Sequence, residues 1–394
     1  MYKSSNKNKD NEADMLEVSL SGKKLELPVM VQPGMADDVI NIELGYGRSN
    51  AGDVGTNVGF DANVFLTSGG GISRWIYTGA DVKVTGNTYE LVSTQEHHSL
   101  DDTSVKDFHK VRNIIQEATV DQYIEDPDIL HHHDHVIYDV NPEHAYDEVK
   151  WGMAIDMNKC TGCNECVAAC NVENNIPVVG KTEVANGREM HWIRLDRYYS
   201  GDPDDPVASL QAMLCQHCDN APCENVCPVV ATTHSPDGLN QMVYNRCVGT
   251  RYCSNNCPYK VRRFNFFDFR RMYNDGYYEG GTQELLNNPE VTVRSRGVME
   301  KCTFCVQRIM EERQEARKDG VTFDGSTVTT ACQDACPSSA IVFGNTNDPN
   351  SKISKLRKHK LGYHVLEILA VKPNVTYIAK LRNNQAKEEH HVEH

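Results

Sequence analysis

Four cysteines, Cys160, Cys163, Cys166 and Cys170, crowd one short stretch, C-T-G-C-N-E-C-V-A-A-C. Their spacing, C-x2-C-x2-C-x3-C, restricts the chain more than any hydrophobic pattern in it. A tight loop turns three sulfurs toward one centre, and a following helix carries the fourth away to another. That arrangement suits the corners of an iron–sulfur cubane. Zinc is the competitor, but structural zinc sites draw cysteines in separated pairs, and a third cysteine two residues on crowds a tetrahedral ion.

The same grammar recurs three more times. The second run is Cys215, Cys218, Cys223 and Cys227-Pro228; the third is Cys247, Cys253 and Cys257-Pro258; the fourth is Cys302, Cys305, Cys332 and Cys336-Pro337, its halves 26 residues apart. Proline after the last cysteine belongs to the ferredoxin-type run and bars the chain from continuing a helix. The first run departs from this, because Asn171 follows Cys170. Four cubanes take sixteen thiolates, and the chain has 15 cysteines. In Cys247-Val248-Gly249-Thr250-Arg251-Tyr252-Cys253, Thr250 stands where the second ligand belongs. A hydroxyl is a poor substitute for a thiolate on iron. The expected complement is three [4Fe–4S] clusters and one [3Fe–4S] cluster; the competing assignment is a fourth [4Fe–4S] cluster whose odd iron takes water or Thr250.

If each fourth cysteine serves the other cluster of its pair, the economical pairing nests one two-cluster module inside another. Cys160, Cys163, Cys166 and Cys336 then share a [4Fe–4S] cluster, and Cys302, Cys305, Cys332 and Cys170 share its neighbour. In the inner module Cys215, Cys218, Cys223 and Cys257 hold the third, leaving Cys247, Cys253 and Cys227 for the three-iron cluster. Spacing alone leaves other pairings open.

Composition sets the class. With 394 residues the chain has room for two or three domains, but only 39% of it is hydrophobic, so bound clusters are expected to supplement a modest core. A formal charge of −15 argues against a nucleic-acid partner. Disulfides suit shorter secreted chains. No stretch approaches the ~18 apolar residues of a membrane span, and the opening MYKSSNKNKDNEADM has no apolar signal region.

In chain order, residues 1–20 are polar and expected to be disordered. Residues 25–31 and 39–44 alternate as strands do, and glycines then punctuate a β-rich unit through residue 95. Residues 96–150 are expected to form an acidic linker rich in histidine: His97, His98, His109, His131, His132, His133, His135 and His144. Histidine tracts can hold metals, with a solvated linker as the plainer reading; the tail His390, His391 and His394 is a weaker signal. Within the linker, residues 105–123 show a helical period. Residues 151–345 form the cluster domain, entered by a strand over 152–157, and residues 346–394 a C-terminal extension. The segment Tyr259 to Arg271 mixes basic and aromatic residues; it either faces a membrane partner or packs around a cluster.

No Ser/His/Asp set, phosphate loop or dinucleotide fingerprint is present, so the clusters read as a wire and substrate chemistry is expected in a partner. Three sets of residues carry resemblances. Val31-Gln32-Pro33-Gly34, Gly45-Tyr46-Gly47-Arg48 and Val58-Gly59-Phe60-Asp61-Ala62 resemble the closing β domain of molybdopterin oxidoreductases. The four-run layout resembles the four-cluster subunits of the dimethyl sulfoxide and polysulfide reductase group. Asn174 to Lys181, Gly187 to Arg194, Asn245 to Cys253 and Lys372 to Ala379 resemble the iron–sulfur subunit of bacterial alternative complex III.

That last resemblance implies an α+β chain of two nested ferredoxin-like modules, preceded by a cofactor-free remnant of a molybdopterin oxidoreductase domain. It implies an electron-transfer subunit of a quinol:acceptor oxidoreductase, with no molybdopterin and no substrate site of its own. The implied partners are a quinol-binding integral membrane subunit, c-type cytochromes and a terminal oxidase, at the periplasmic face of the membrane. The alternative is the electron-transfer subunit of a dimethyl sulfoxide or polysulfide reductase-type molybdoenzyme.

Overall fold

The computed structural model describes residues 12–66, 76–94, 112–131, 144–202, 204–269 and 283–383. The chain divides into two compact units. The first comprises residues 1–97, 178–189 and 199–208; the second comprises residues 98–177, 190–198 and 209–394.

The first unit is built on a three-stranded antiparallel sheet. Its central strand, Glu12–Leu20, lies between Lys23–Pro28 and Asp81–Glu90. Ser21 and Gly22 both have positive φ, 51° and 77°, which fits the tight hairpin turn whose twist matches that of its strands. Met15, Val18 and Leu20 are buried, and Val18 and Leu20 pack on Phe65 with Leu25, Leu27, Ile42 and Tyr77 around them.

Two expectations change here. Residues 12–20 are the central strand and not a disordered start; two flanking strands satisfy their backbone, which outweighs their polar composition. Residues 39–44 join no sheet, and Val39 and Ile40 are exposed. Alternation makes a strand only where a partner edge is available. The part of residues 1–20 before Glu12 lies outside the described residues.

The second unit contains all fifteen cysteines. Its four-stranded sheet runs Ile341–Asn345, Trp151–Asp156, Val375–Ile378, Gly362–Tyr363. The neighbours of Trp151–Asp156 are antiparallel on one side and parallel on the other. Trp151 to Ile155 and Val375 to Ile378 are buried at every position, as expected of strands covered on both faces. Trp151 stacks on Phe343 at 5.0 Å, and Ala154 and Val342 pack on Ile353 of the helix Lys352–Arg357. The C-terminal stretch is therefore integral to the cluster domain's sheet: two of the four strands come from it. Lys380–Arg382 then pairs in parallel with Glu117–Thr119, and Arg382 bridges Glu117 at 2.6 Å.

The expected helix over residues 105–123 is reduced to Val120–Glu125, started by a capping box between Thr119 and Gln122. Residues 112–115 are turns and bends, and 105–111 lie outside the described residues. A box that satisfies the first amides fixes a helix start, so the period before Thr119 does not extend it. The basic–aromatic segment resolves toward packing: Tyr259, Val261, Arg262, Arg263 and Asn265 are buried, while Arg270 and Arg271 lie outside the described residues.

Candidate metal centres

The backbone of the cysteine runs repeats along with their sequence. In Cys160-Thr161-Gly162-Cys163-Asn164, Gly162 and Asn164 take φ of 73° and 65°, and the helix Glu165–Glu173 starts immediately after. In Cys247-Val248-Gly249-Thr250-Arg251, Gly249 and Arg251 take φ of 72° and 61°, and the helix Tyr252–Asn256 starts likewise. Thr250 thus occupies the backbone position of Cys163. Glycine is required at 249, where a Cβ would lie 2.4 Å from the Gly297 carbonyl oxygen.

The proline rule is equally visible. The helices Pro222–Asn225, Tyr252–Asn256 and Ala331–Asp334 end before Cys227, Cys257 and Cys336. The third residue after each of these cysteines (Val230, Lys260 and Ser339) has φ of 51–53°. The turn aims an amide back at the sulfur: Ala231 N–H donates to Cys227 Sγ at 3.1 Å, and Ala340 N–H to Cys336 Sγ at 3.3 Å. Burial pushes these two thiols up, but backbone amides at Cys227, and the Ser338 hydroxyl with backbone amides at Cys336, outweigh it and hold both below the ordinary thiol value. A stabilised thiolate is what a metal ligand requires. After Cys170, where proline is absent, the helix runs on through Glu173.

The tertiary structure gathers the cysteines into four neighbourhoods. Cys166 faces Cys160, Cys163 and Cys336; burial and these thiols push it up to about 11. Cys170 faces Cys302, Cys305 and Cys332, and complete burial raises it well above the usual value. Cys218 faces Cys215, Cys257 and Cys223 and is raised in the same way. Cys253, raised first by burial, lies near Cys247, Cys227 and Cys257. Two hollows lie among these groups. One is lined by Cys227, Cys247, Cys253 and Thr250; another by Cys170, Cys302, Cys305 and Cys332, with Met153, Ile193 and Phe304.

The donor chemistry fits iron–sulfur clusters. Thiols that crowd and bury one another resist ionising until a cation compensates them. All fifteen cysteines are free thiols, and each hollow has a cysteine-lined wall. Among the described residues no group of three or more His, Cys, Asp or Glu converges on a single ion. Zinc with its ligands at about 2.3 Å would need sulfurs within roughly 4 Å of one another. Of the expected histidine tract, His131 meets the Lys360 carbonyl through Nε2 at 2.8 Å, and His144 stacks on His234. His97, His98, His109, His132, His133, His135, His390, His391 and His394 lie outside the described residues.

A 4Fe-4S dicluster domain family matches residues 159–231, and a second 4Fe-4S dicluster family matches residues 207–268. The chain is 38% identical over 255 residues to the menaquinone reductase iron–sulfur cluster-binding subunit of Nitratidesulfovibrio vulgaris, covering 63% of this chain and 95% of that one. It is 35% identical over 259 residues to the Hdr-like menaquinol oxidoreductase iron–sulfur subunit 1 of Archaeoglobus fulgidus, 61% and 87% of the two chains. The chain belongs to the iron–sulfur subunits of the quinol and molybdoenzyme oxidoreductases. A protein of Halobacterium salinarum assigned as the iron–sulfur subunit of a dimethyl sulfoxide reductase is 32% identical over 231 residues, 58% of this chain and 78% of that one.

As such a subunit the protein carries iron–sulfur clusters and transfers electrons. Among its described residues no helix is long and apolar enough to cross a membrane.

Several residues around the cysteines carry no spacing signal. Asn174 Nδ2 donates to Cys170 Sγ at 3.6 Å and Asn240 Nδ2 to Cys223 Sγ at 3.7 Å. His217, between Cys215 and Cys218, stacks on Phe304, between Cys302 and Cys305, with ring centroids 3.9 Å apart. The Cys215–Cys218 and Cys302–Cys305 segments thus meet through two fully buried rings. Each ring follows a cysteine that can be found from sequence, but their contact depends on long-range packing.

Proposed function

We propose that this chain is the electron wire of an alternative complex III-type quinol:acceptor oxidoreductase. Cys160, Cys163, Cys166 and Cys336 bind one [4Fe–4S] cluster, Cys170, Cys302, Cys305 and Cys332 a second, and Cys215, Cys218, Cys223 and Cys257 a third. Cys227, Cys247 and Cys253 bind a [3Fe–4S] cluster at Thr250. Exposure of the sulfurs is the observation that carries the wire. The second and third groups are buried throughout, whereas Cys163 is exposed and Cys160, Cys166, Cys336, Cys227 and Cys247 are half-buried. Two interior stations between two surface stations give electrons one way in and one way out.

Menaquinol oxidoreductase in the name of one relative supports a quinol as donor, and menaquinone reductase in the name of another supports exchange with the quinone pool. In this reading the quinol is oxidised in an integral membrane subunit at the periplasmic face. The acceptors are c-type cytochromes and, beyond them, a terminal oxidase. The first unit is a cofactor-free remnant of a molybdopterin oxidoreductase domain.

Purification from membranes tests this reading. The expected outcome is a quinol-binding membrane subunit and c-type cytochromes in the same complex, with about 15 irons per chain and a three-iron EPR signal when oxidised. The relative assigned to a dimethyl sulfoxide reductase supports the second reading, a module feeding a molybdoenzyme. Co-purification of a separate molybdopterin subunit would decide for that one.

A further inference from the structure

In each of the four runs, the second residue after the first cysteine takes positive φ. In the first and third runs that residue is glycine, Gly162 at 73° and Gly249 at 72°, which holds the left-handed region without a steric penalty. In the second and fourth runs the same position carries His217 at 44° and Phe304 at 54°. A bulky residue there is an outlier, and such strain persists where the surrounding structure fixes it and tends to mark function. Both side chains are fully buried, with their rings 3.9 Å apart and within 20° of parallel.

Each ring is held from several sides. The Asn240 amide donates to His217 Nδ1 at 3.1 Å, and Asn374 Nδ2 to the His217 carbonyl at 2.7 Å. The Lys301 ammonium donates to the carbonyls of Asn240 and Cys302, tying the residue that holds His217 to the fourth run. Phe304 meets Phe343 edge-on at 5.1 Å, and Phe343 stacks on Trp151. Phe304 also forms part of the wall of the hollow lined by Cys170, Cys302, Cys305 and Cys332, while His217 stands between Cys215 and Cys218.

Within each proposed module, ligands of the two clusters lie one helical turn apart, as Cys166 and Cys170 do in the outer module and Cys253 and Cys257 in the inner. Between the modules the chain offers no such short link, and a tertiary contact must serve. We propose that the His217–Phe304 stack is the electron contact between the second and third clusters. This rests on the cluster assignment proposed above. One electron crosses, oxidising one cluster and reducing its neighbour; no bond forms or breaks, and neither ring is itself oxidised or reduced. The rings fill the gap with packed atoms and exclude water from it. Glycine would relax both loops and leave that gap open, which explains why two strained aromatic residues stand there.

Flash photoreduction of the full, iron-loaded chain with a deazaflavin, followed by freeze-quenched EPR that reads which clusters are reduced, tests the contact in Phe304→Gly. That substitution restores the residue the first and third runs carry, so iron content is expected to be retained. The expected signature is loss of the fast electron exchange between modules, with exchange inside each module and the equilibrium potentials unchanged. Phe304→Tyr keeps the ring and is expected to exchange like wild type. If Phe304→Gly does not load iron, Phe304→Leu, which is gentler on the core and still withdraws the ring from His217, decides on the same criteria. Wild-type exchange between modules at full iron content overturns the inference. So does an equal slowing of every step, which would mean general loosening. Wild-type protein without four-iron signals would instead sink the cluster assignment itself.

Discussion

Thr250 shows how far a single residue could be followed from sequence. Its place in the ligand spacing is legible from Cys247 and Cys253, and in the fold Gly249 and Arg251 repeat the left-handed pair around Cys163. Under the proposed three-iron assignment, Thr250→Cys supplies a fourth thiolate. It is expected to abolish the oxidised three-iron EPR signal, raise iron content by about one per chain and lower that cluster's potential; an unchanged spectrum counts against Thr250 as the vacant corner. Tyr377 makes a second prediction. Its buried hydroxyl donates to the Ala212 carbonyl at 2.7 Å and accepts from Gln216 Nε2 at 3.1 Å. Tyr377→Phe strands both partners, and chemical denaturation should show a loss of about 1–3 kcal/mol. By contrast Arg262 and Arg263 are one basic dipeptide in the sequence, and only packing separates the roles of such neighbours. Arg263 Nε donates to the His191 carbonyl at 3.1 Å, while Arg262 faces the cysteines.

At the scale of elements, the helix Glu165–Glu173 and the helix Val306–Lys318 are tied by one ion pair, Glu173 to Arg308 at 2.9 Å. The Arg308 hydrogen bonds hold the Glu173 carboxyl below its ordinary value, against burial, with Gln307 helping. A carboxyl depressed in the fold contributes its full stability above the unfolded value of about 4.3 and loses it as pH falls through the lower folded value. Glu173→Gln should therefore be less stable than wild type at neutral pH, by roughly 1–2 kcal/mol. The gap should close as the solution is acidified; a gap independent of pH would show that the charge is not responsible. Strand elements divide in the same way. Trp151–Asp156 is legible because an apolar run before a cysteine loop has few other uses, but residues 39–44 alternate without a partner. The strand Glu12–Leu20 was hidden by its charged neighbours, since a hydrogen-bonded ladder is not visible in composition. Thr376→Pro removes an amide from a strand paired on both sides and is expected to abolish recovery of loaded, folded protein.

Over the whole molecule, the second unit wraps its fifteen cysteines in a thin core, and most of its buried thiols are pushed up by burial and by one another. Clusters resolve that crowding, so folding and loading should be linked. Denaturant titration of loaded protein should show the visible absorbance and the far-ultraviolet circular dichroism falling together. Iron chelation should shift the midpoint well below that of the loaded protein; equal midpoints would mean that the cysteines are not the unit's staples. The sequence by itself determined the fifteen cysteines, their four runs, the place of Thr250 in the third and the iron–sulfur class, because ligand spacing and the proline stop are local geometry. Tertiary structure alone decided which cysteines became neighbours, that the C-terminal strands complete the sheet, and that the rings of His217 and Phe304 stack. Those depend on contacts between residues far apart in the chain, where burial is a property of the fold.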